Sequence, residues 1–278
     1  MWRTTSKLVI WCTCTVVMLW VLREKWSDTY HMRKIRHSSK NLNVLTFNIQ
    51  RMPYSMKPLS LLHRLISTHS IILLQECFLN VLYDDIQYEF PEYHIIKGTM
   101  NGYRLVNSGL VILTKYPIIS HTFIPFEEKT LTTSDALAEK GFLVAQIRIK
   151  DKLVYIINTH LQSSNYRNDD SMSHKQWRQL YGYISTLKYP WLLGGDFNIN
   201  INKFPAIPYS MYSSFYPTLY IKYKNDYEVD TSCTPKEGYD PYVFDFFISN
   251  DIELDTPDVL PLTYSDHLPV STRINRIT

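Results

Sequence analysis

The chain has 278 residues, 45% of them hydrophobic, which is enough for one large domain or two small ones and too apolar for a disordered chain. Its net charge of +3 is unevenly spread: residues 1–40 hold 8 Lys/Arg against 2 Asp/Glu, whereas residues 41–278 hold 21 against 24. The larger part is therefore mildly acidic, which excludes a generic polyanion binder unless a local basic patch survives the average. The four cysteines, at 12, 14, 77 and 233, have neither the spacing of a disulfide framework nor that of a metal site, leaving only a Cys77–Cys233 bridge to consider.

Residues 8–22 carry no charge and read as a membrane anchor spanning residues 1–25 with its flanks. The run is shorter than the roughly 20 residues of a full span. Trp2, Trp11, Trp20 and Trp26 suit the interface, and Arg23 and Lys25 can snorkel to it. A cleaved signal peptide is the competing reading, against which no small-x-small site follows the run. Residues 26–41 form a basic linker, either a spacer or a contact for anionic lipid heads. Six Lys/Arg in residues 23–40 against two in residues 1–7 orient the following domain towards the cytosol, and the lack of an Asn-x-Ser/Thr sequon agrees.

From residue 42 the pattern is that of one domain reaching residue 278. A strand at Leu42–Ile49 is followed by helical spacing at Leu59–Ser67 and a short buried strand at Ile71–Leu74. Further strands are predicted at Ser108–Leu113, at Gly141–Ile149 and Leu153–Thr159 as a hairpin around Lys150-Asp151-Lys152, at Trp191–Asn198 and at Val243–Ser249. A polar stretch at 163–178 leads into a helix ending near residue 187, and the chain closes through Leu262–Val270. Short strands without regular βαβ alternation predict two mainly antiparallel sheets packed together with helices outside.

Several of these strands end in residues suited to metal or phosphate chemistry: Asn48, Glu76, His160, Asp196 with Asn198, and Asp266 with His267. Each has an ordinary account, since Asn48 can cap a turn, Glu76 can start a helix and a lone histidine can be a satisfied structural residue. Their repetition at strand ends is the signal. Carboxylates, amides and imidazoles bind Mg²⁺, polarise phosphoryl groups and carry protons.

The segments Leu-Thr-Phe-Asn48-Ile, Leu-Leu-Gln-Glu76, Asn107-Ser-Gly-Leu, Asn158-Thr-His160-Leu-Gln, Gly-Gly-Asp196-Phe-Asn198 and Ser-Asp266-His267-Leu-Pro-Val follow one another over about residues 42–274. In that order they resemble the endonuclease/exonuclease/phosphatase superfamily. The resemblance implies a four-layer α/β/β/α sandwich. It implies Glu76 as the principal Mg²⁺ ligand (Mn²⁺ being an alternative ion), with Asn48 beside it and Asp266 as a further candidate. It implies His267 as general base, Asp245 as its orienting aspartate, Asp196 as the group positioning the nucleophile, Asn198 as a phosphate contact, and His160 as a phosphate or leaving-group partner.

Within the superfamily the chain is most similar to neutral sphingomyelinases. Asp135-Ala-Leu-Ala-Glu-Lys140-Gly resembles their Asp-x-x-x-x-Lys-Gly element, which implies a catalytic Lys140 with Asp135 as its partner, although a solvated loop would read the same way. Asn107 also reads as their version and implies a substrate contact. The implied reaction is hydrolysis of sphingomyelin to ceramide and phosphocholine, with a phospholipid at a membrane surface as partner. A deoxyribonuclease I-like endonuclease, with nucleic acid as partner, or a phosphoinositide phosphatase is the alternative enzyme; a catalytically degenerate membrane-tethered binding protein is the non-enzymatic one. The eight tyrosines spread over residues 204–242 fit a lipid-facing rim, a packed surface loop or a base-stacking surface.

Overall fold

In a computed structural model of the chain, the residues described are 42–51, 58–99, 106–129, 134–163, 171–199, 243–262 and 264–278. The predicted anchor and linker, residues 1–41, and the tyrosine-rich segment 204–242 lie outside them, as do Cys233 and the side chain of Asp135. Among the described residues no helix is long and apolar enough to cross a membrane.

The strands are β1 (Asn43–Arg51), β2 (Ile71–Cys77), β3 (His94–Lys97), β4 (Val111–Thr114), β5 (Ile118–Pro125), β6 (Gly141–Ile149), β7 (Lys152–His160), β8 (Trp191–Asp196), β9 (Asp245–Asn250), β10 (Ile252–Leu254), β11 (Asp258–Val259) and β12 (Val270–Ile277). The helices are α1 (His63–Ser67), entered through a 3-10 turn at Leu59–Leu62, α2 (Asn80–Glu89) and α3 (Ser171–Ile184). One sheet runs β10-β12-β1-β2-β4-β3, with β11 also on β12, and the other runs β5-β6-β7-β8-β9.

Alternation along the strands builds the layers. In β2, Ile71 and Leu73 enter the core between the sheets, while Ile72 and Leu74 enter a second core under α1 and α2. In β6, Leu143, Ala145 and Ile147 face the inter-sheet core, while Phe142 and Val144 join Trp177, Leu180 and Ile184 of α3 in a third. With both faces of each sheet covered, central strands read as continuous apolar runs. These three cores make the α/β/β/α sandwich.

The sheets depart from the predicted pattern in one respect that matters. Every pairing is antiparallel except β1–β2 and β7–β8, which are parallel. A parallel pair needs a crossover, and each one here is helical: α1 lies between β1 and β2, and α3 between β7 and β8. These two units are the βαβ alternation that short strands elsewhere hide. Parallel pairing also brings the C-terminal ends of both strands to one edge of the sheet, so the polar residues at those ends meet.

Smaller differences have local causes. The Ser108–Gly109–Leu110 stretch precedes β4 rather than forming part of it, because Gly109 takes a left-handed φ of 71° and its carbonyl accepts Cys77 N–H. The β6–β7 hairpin turns on Lys150-Asp151 alone, with Lys150 at φ 57° and Lys152 already paired to Ile149. The helix α2 and the strands β3, β5, β10, β11 and β12 have no counterpart in the sequence reading.

Candidate active site

The register of the second sheet lines up three predicted residues. His160 at the end of β7 pairs with Asp196 at the end of β8, which pairs with Asp245 at the start of β9. Direct partners project to the same face, so these three side chains form a row. Two glycines let the row close up. A Cβ on Gly195, at φ 150°, would sit 2.0 Å from the carbonyl oxygen of Thr159 in β7. One on Gly194 would sit 2.7 Å from the Phe247 ring and 2.8 Å from Leu73. The glycines thus let the neighbouring strand and the facing sheet approach closely.

His267 arrives from the loop before β12 and completes the row. Its Nδ1 lies 2.7 Å from Asp245 Oδ2 and its Nε2 3.6 Å from Asp196 Oδ2. The same Asp196 oxygen lies 3.4 Å from His160 Nε2 and accepts a hydrogen bond from Asn48 Nδ2 at 3.0 Å. Its other oxygen, Oδ1, accepts the backbone N–H of Asn198 at 2.9 Å. Burial raises the Asp196 pKa, with the charge of Asp245 adding to the rise and His267, His160 and Asn48 opposing it. For His267 burial is the largest influence and disfavours its charge, but Asp245 and Asp196 outweigh it and raise the pKa to about 11. The two groups interact strongly enough that their titration belongs to the pair rather than to either residue.

The first sheet supplies the other wall. Asn48 in β1 pairs with Gln75 in β2, so Glu76 stands one residue beyond it. Asn48 Nδ2 donates to Glu76 Oε1 at 3.0 Å as well as to Asp196, linking the two sheets through one amide. Glu76 takes a left-handed φ of 60°, a strained setting for a residue with a Cβ. The β1–β2 ladder slips between Asn48 and Arg51, and Gln50, at φ 44°, reaches across to Asp266 Oδ2 at 2.7 Å. Asp266 is exposed and also accepts a bond from Ser265 Oγ.

Lys140 is the third feature. Only 2% exposed, it donates from Nζ to the carbonyl oxygen of Leu161 at 3.2 Å, and its charge acts on Glu76. Asn198, at φ 48°, donates from Nδ2 to that same carbonyl at 3.0 Å. Asn107 stands apart from this group: its Oδ1 accepts Gly109 N–H at 2.8 Å and its Nδ2 donates to Asn80 Oδ1 at 3.4 Å. It therefore shapes the loop beside Glu76 rather than joining the row.

The chemistry of the donors decides where a divalent cation fits. Burial raises the Glu76 pKa, opposed by the Asn48 hydrogen bond and the Lys140 charge, while Asp266 adds to the rise and His267 opposes it. A carboxylate left short of compensating charge in this way accommodates a cation. Glu76, Asn48 Oδ1 and Asp266 are all oxygen donors, as Mg²⁺ prefers, and they fit it. Asp196, Asp245 and His267 also bring three ligand atoms within 4.8 Å of one another. There the 2.7 Å Asp245–His267 hydrogen bond already occupies the facing atoms with a proton.

Two features of the site carry no role in the sequence reading. Gln50 is one. The other is the buried pair Gln75–Asn158: Gln75 Nε2 donates to Asn158 Oδ1 at 2.7 Å, and Asn158 Nδ2 donates to the carbonyls of Leu74 at 2.8 Å and Val111 at 3.0 Å. Both are fully buried and join the two sheets directly beneath the site. Their place within the quoted motifs, one residue before Glu76 and two before His160, was the available signal.

Comparison with known proteins agrees with this geometry. The chain is 26% identical over 184 residues to sphingomyelinase C of Bacillus cereus, covering 56% of this chain and 53% of that one. It therefore spans about half the length of that relative. Its fold is similar to that of beta toxin from Staphylococcus aureus crystallised with bound magnesium ions, with TM-score 0.59, 17% identity, and 84% of this chain and 99% of that one covered. It is also similar to that of TDP2 of D. rerio in complex with a single-strand DNA product, with TM-score 0.64, 15% identity, and 85% and 100% covered. The model of the Endonuclease/Exonuclease/phosphatase family matches residues 45–267, and the chain belongs to that family.

Proposed function

We propose that the protein is a Mg²⁺-dependent phosphodiesterase that hydrolyses sphingomyelin to ceramide and phosphocholine by attack of water at phosphorus. The observation that carries the substrate choice is Lys140, a buried ammonium beside the Glu76 carboxylate, in a chain similar to sphingomyelinases. A phosphodiester brings one negative charge, and an ammonium together with a bound cation would favour the charge that grows as water attacks.

When bound at Glu76, Asn48 and Asp266, the divalent ion would neutralise charge developing on the phosphoryl oxygens. The chain's own groups handle the proton. Asp245 accepts from His267 Nδ1–H and so fixes the tautomer in which Nε2 carries the lone pair. A cation held at Asp266, whose charge otherwise favours the protonated imidazole, would favour that neutral state. Water then gives its proton to His267 Nε2 as its oxygen bonds to phosphorus. The bond from phosphorus to the ceramide oxygen breaks, and that oxygen takes up a proton, for which the neighbouring His160 is the donor in this reading.

A nucleic-acid phosphodiesterase is the second reading, favoured by the likeness to a fold crystallised with a DNA product. The test offers the full chain sphingomyelin in mixed micelles, plasmid DNA and phosphoinositides, each with Mg²⁺ and with chelator. Metal-dependent release of phosphocholine is the expected outcome, and cleavage of DNA alone overturns the substrate. Lys140→Ala is expected to lower the sphingomyelinase rate by roughly 100-fold, the loss of a preorganised charge at the reacting group; an unchanged rate removes the main ground for that substrate.

A further inference from the structure

Lys140 does not hold itself in position. Its ammonium rests on the Leu161 carbonyl, and its own carbonyl accepts Phe126 N–H at 3.0 Å. The Leu161 peptide also bonds Asn198 Nδ2 through its oxygen and donates its N–H to the Asp196 carbonyl at 3.0 Å. One peptide beyond His160 thus sets three residues of the site. The position of Lys140 depends on two segments: the turn after β7 and residues 125–129 after β5.

A single side chain on α3 joins those segments. Gln176 is fully buried on the inner face of the helix, beside Trp177 and Leu180. Its Oε1 accepts Gln162 N–H at 2.8 Å, next along the chain from Leu161. Its Nε2 donates to the Glu128 carbonyl at 2.9 Å. Gln179, three residues on and therefore on the same face, takes Glu127 N–H at 2.9 Å and donates to the Pro125 carbonyl at 3.2 Å. Lys129 of the same segment pairs with the buried carboxylate of Glu139, the residue before Lys140.

We propose that Gln176 is a positioning residue for the phosphodiesterase reaction, a brace through which α3 fixes the Leu161 carbonyl and so the ammonium of Lys140 and the amide of Asn198. An apolar residue of this size would suit the surrounding core; an amide that spends both ends on backbone groups of two separate segments constrains where those segments lie. The inference rests on the catalytic part proposed for Lys140, and its test includes a readout that does not.

The substitution is Gln176→Leu in the full chain, which keeps the volume and removes both bonds. Expected on sphingomyelin in micelles is a kcat lower by about 30-fold with KM changed less than about threefold, since misplacement of a catalytic group by about 1 Å costs up to 100-fold. In a Lys140→Ala background the same change is expected to lower kcat by only about threefold, the part that acts through Asn198, because the rest of the effect runs through Lys140. Independent losses that simply multiply would overturn the proposal. The second readout is acylation of Lys140 by acetic anhydride, followed by mass spectrometry with Lys175 as exposed reference. Labelling of Lys140 is expected to rise by roughly tenfold in Gln176→Leu, as a loosened site opens locally more often; an unchanged rate overturns the brace whatever the enzyme's substrate. If Gln176→Leu does not fold, Gln176→Met keeps the unbranched shape of glutamine and removes both bonds. Its kcat is then expected between those of the wild type and Lys140→Ala, and wild-type kcat with wild-type labelling overturns the proposal.

Discussion

At the ends of β7, β8 and β9 and in the loop before β12, four ionisable groups, His160, Asp196, Asp245 and His267, crowd together with little solvent, each within 3.6 Å of another. At the ends of β1 and β2 the arrangement is looser: Glu76 is partly buried, Asp266 is exposed, and Gln50 bridges to it across the gap. Both walls are built alike, as a parallel strand pair joined by a helical crossover and flanked by an antiparallel strand. Their chemistry diverges through what the row is given. The second sheet receives histidines, the groups that move protons in the proposed mechanism. The first receives carboxylates and amides, whose charge Lys140 and His267 compensate only in part. Asn48, donating to both Glu76 and Asp196, is the one side chain in the described site that touches both carboxylates.

If the division is right, breaking the proton wall costs most. His267→Ala is expected to lower kcat by about 1,000-fold, within the range of a general base, while metal binding followed by calorimetry stays near wild type. A variant with more than a tenth of wild-type kcat would remove His267 from the mechanism. The metal wall should fail differently. Glu76→Gln keeps the shape and the hydrogen bond from Asn48 but removes the charge, and is expected to raise the Mg²⁺ concentration for half-maximal activity by at least about tenfold, as loss of several kcal/mol at a cation would. An unchanged metal requirement would move the cation to another set of ligands.

Beneath both walls lies the joint. Gln75 and Asn158 are fully buried, and between them they bond Thr46 Oγ1 and the carbonyls of Leu73, Leu74 and Val111. Asn158→Leu is expected to lower unfolding free energy by about 1–3 kcal/mol, the cost of leaving buried polar groups unmade. Chemical denaturation measures this, and a loss below about 0.5 kcal/mol would show that the sheets are held together by apolar packing alone.

How much of this was legible in the sequence follows from the same contrast. The ends of β7 and β8 announce themselves, because an apolar run followed by His160 or by Gly-Gly-Asp196 is a strand end in any reading. The layer order also follows, since Ile71–Leu74 and Trp191–Leu193 are apolar on both faces. The parallel pairing was hidden: α1 is only five residues long, and short strands on either side of a short helix do not look like a crossover. Asn107 shows what a motif leaves unsaid: besides any contact with substrate, its amide braces the turn at Gly109 and reaches Asn80. Gln50, Gln176 and the Gln75–Asn158 pair escaped because an amide carries no charge and no periodic signature; only their partners reveal them. The left-handed φ of Glu76 is likewise invisible in a residue type that seldom adopts it.

The smallest expected effect is on stability, and it isolates the proton wall from the cation. His267 has a pKa raised from 6.5 to about 11 in the folded chain. A raised pKa stabilises the fold fully below the unfolded value and loses that contribution as pH climbs through the folded one. His267→Asn cannot take the proton. With chelator present, the stability gap between wild type and His267→Asn should therefore be widest below about pH 6.5 and narrow steadily towards pH 11. Asp196 works in the other direction: its raised pKa makes its charge a cost at any pH above the ordinary carboxylate range. Asp196→Asn should relieve that cost while removing a partner of His267, so the double variant His267→Asn/Asp196→Asn should be more stable than His267→Asn alone near neutral pH. Denaturant midpoints across this pH range measure both gaps. A gap independent of pH would mean that His267 is neutral in the resting fold.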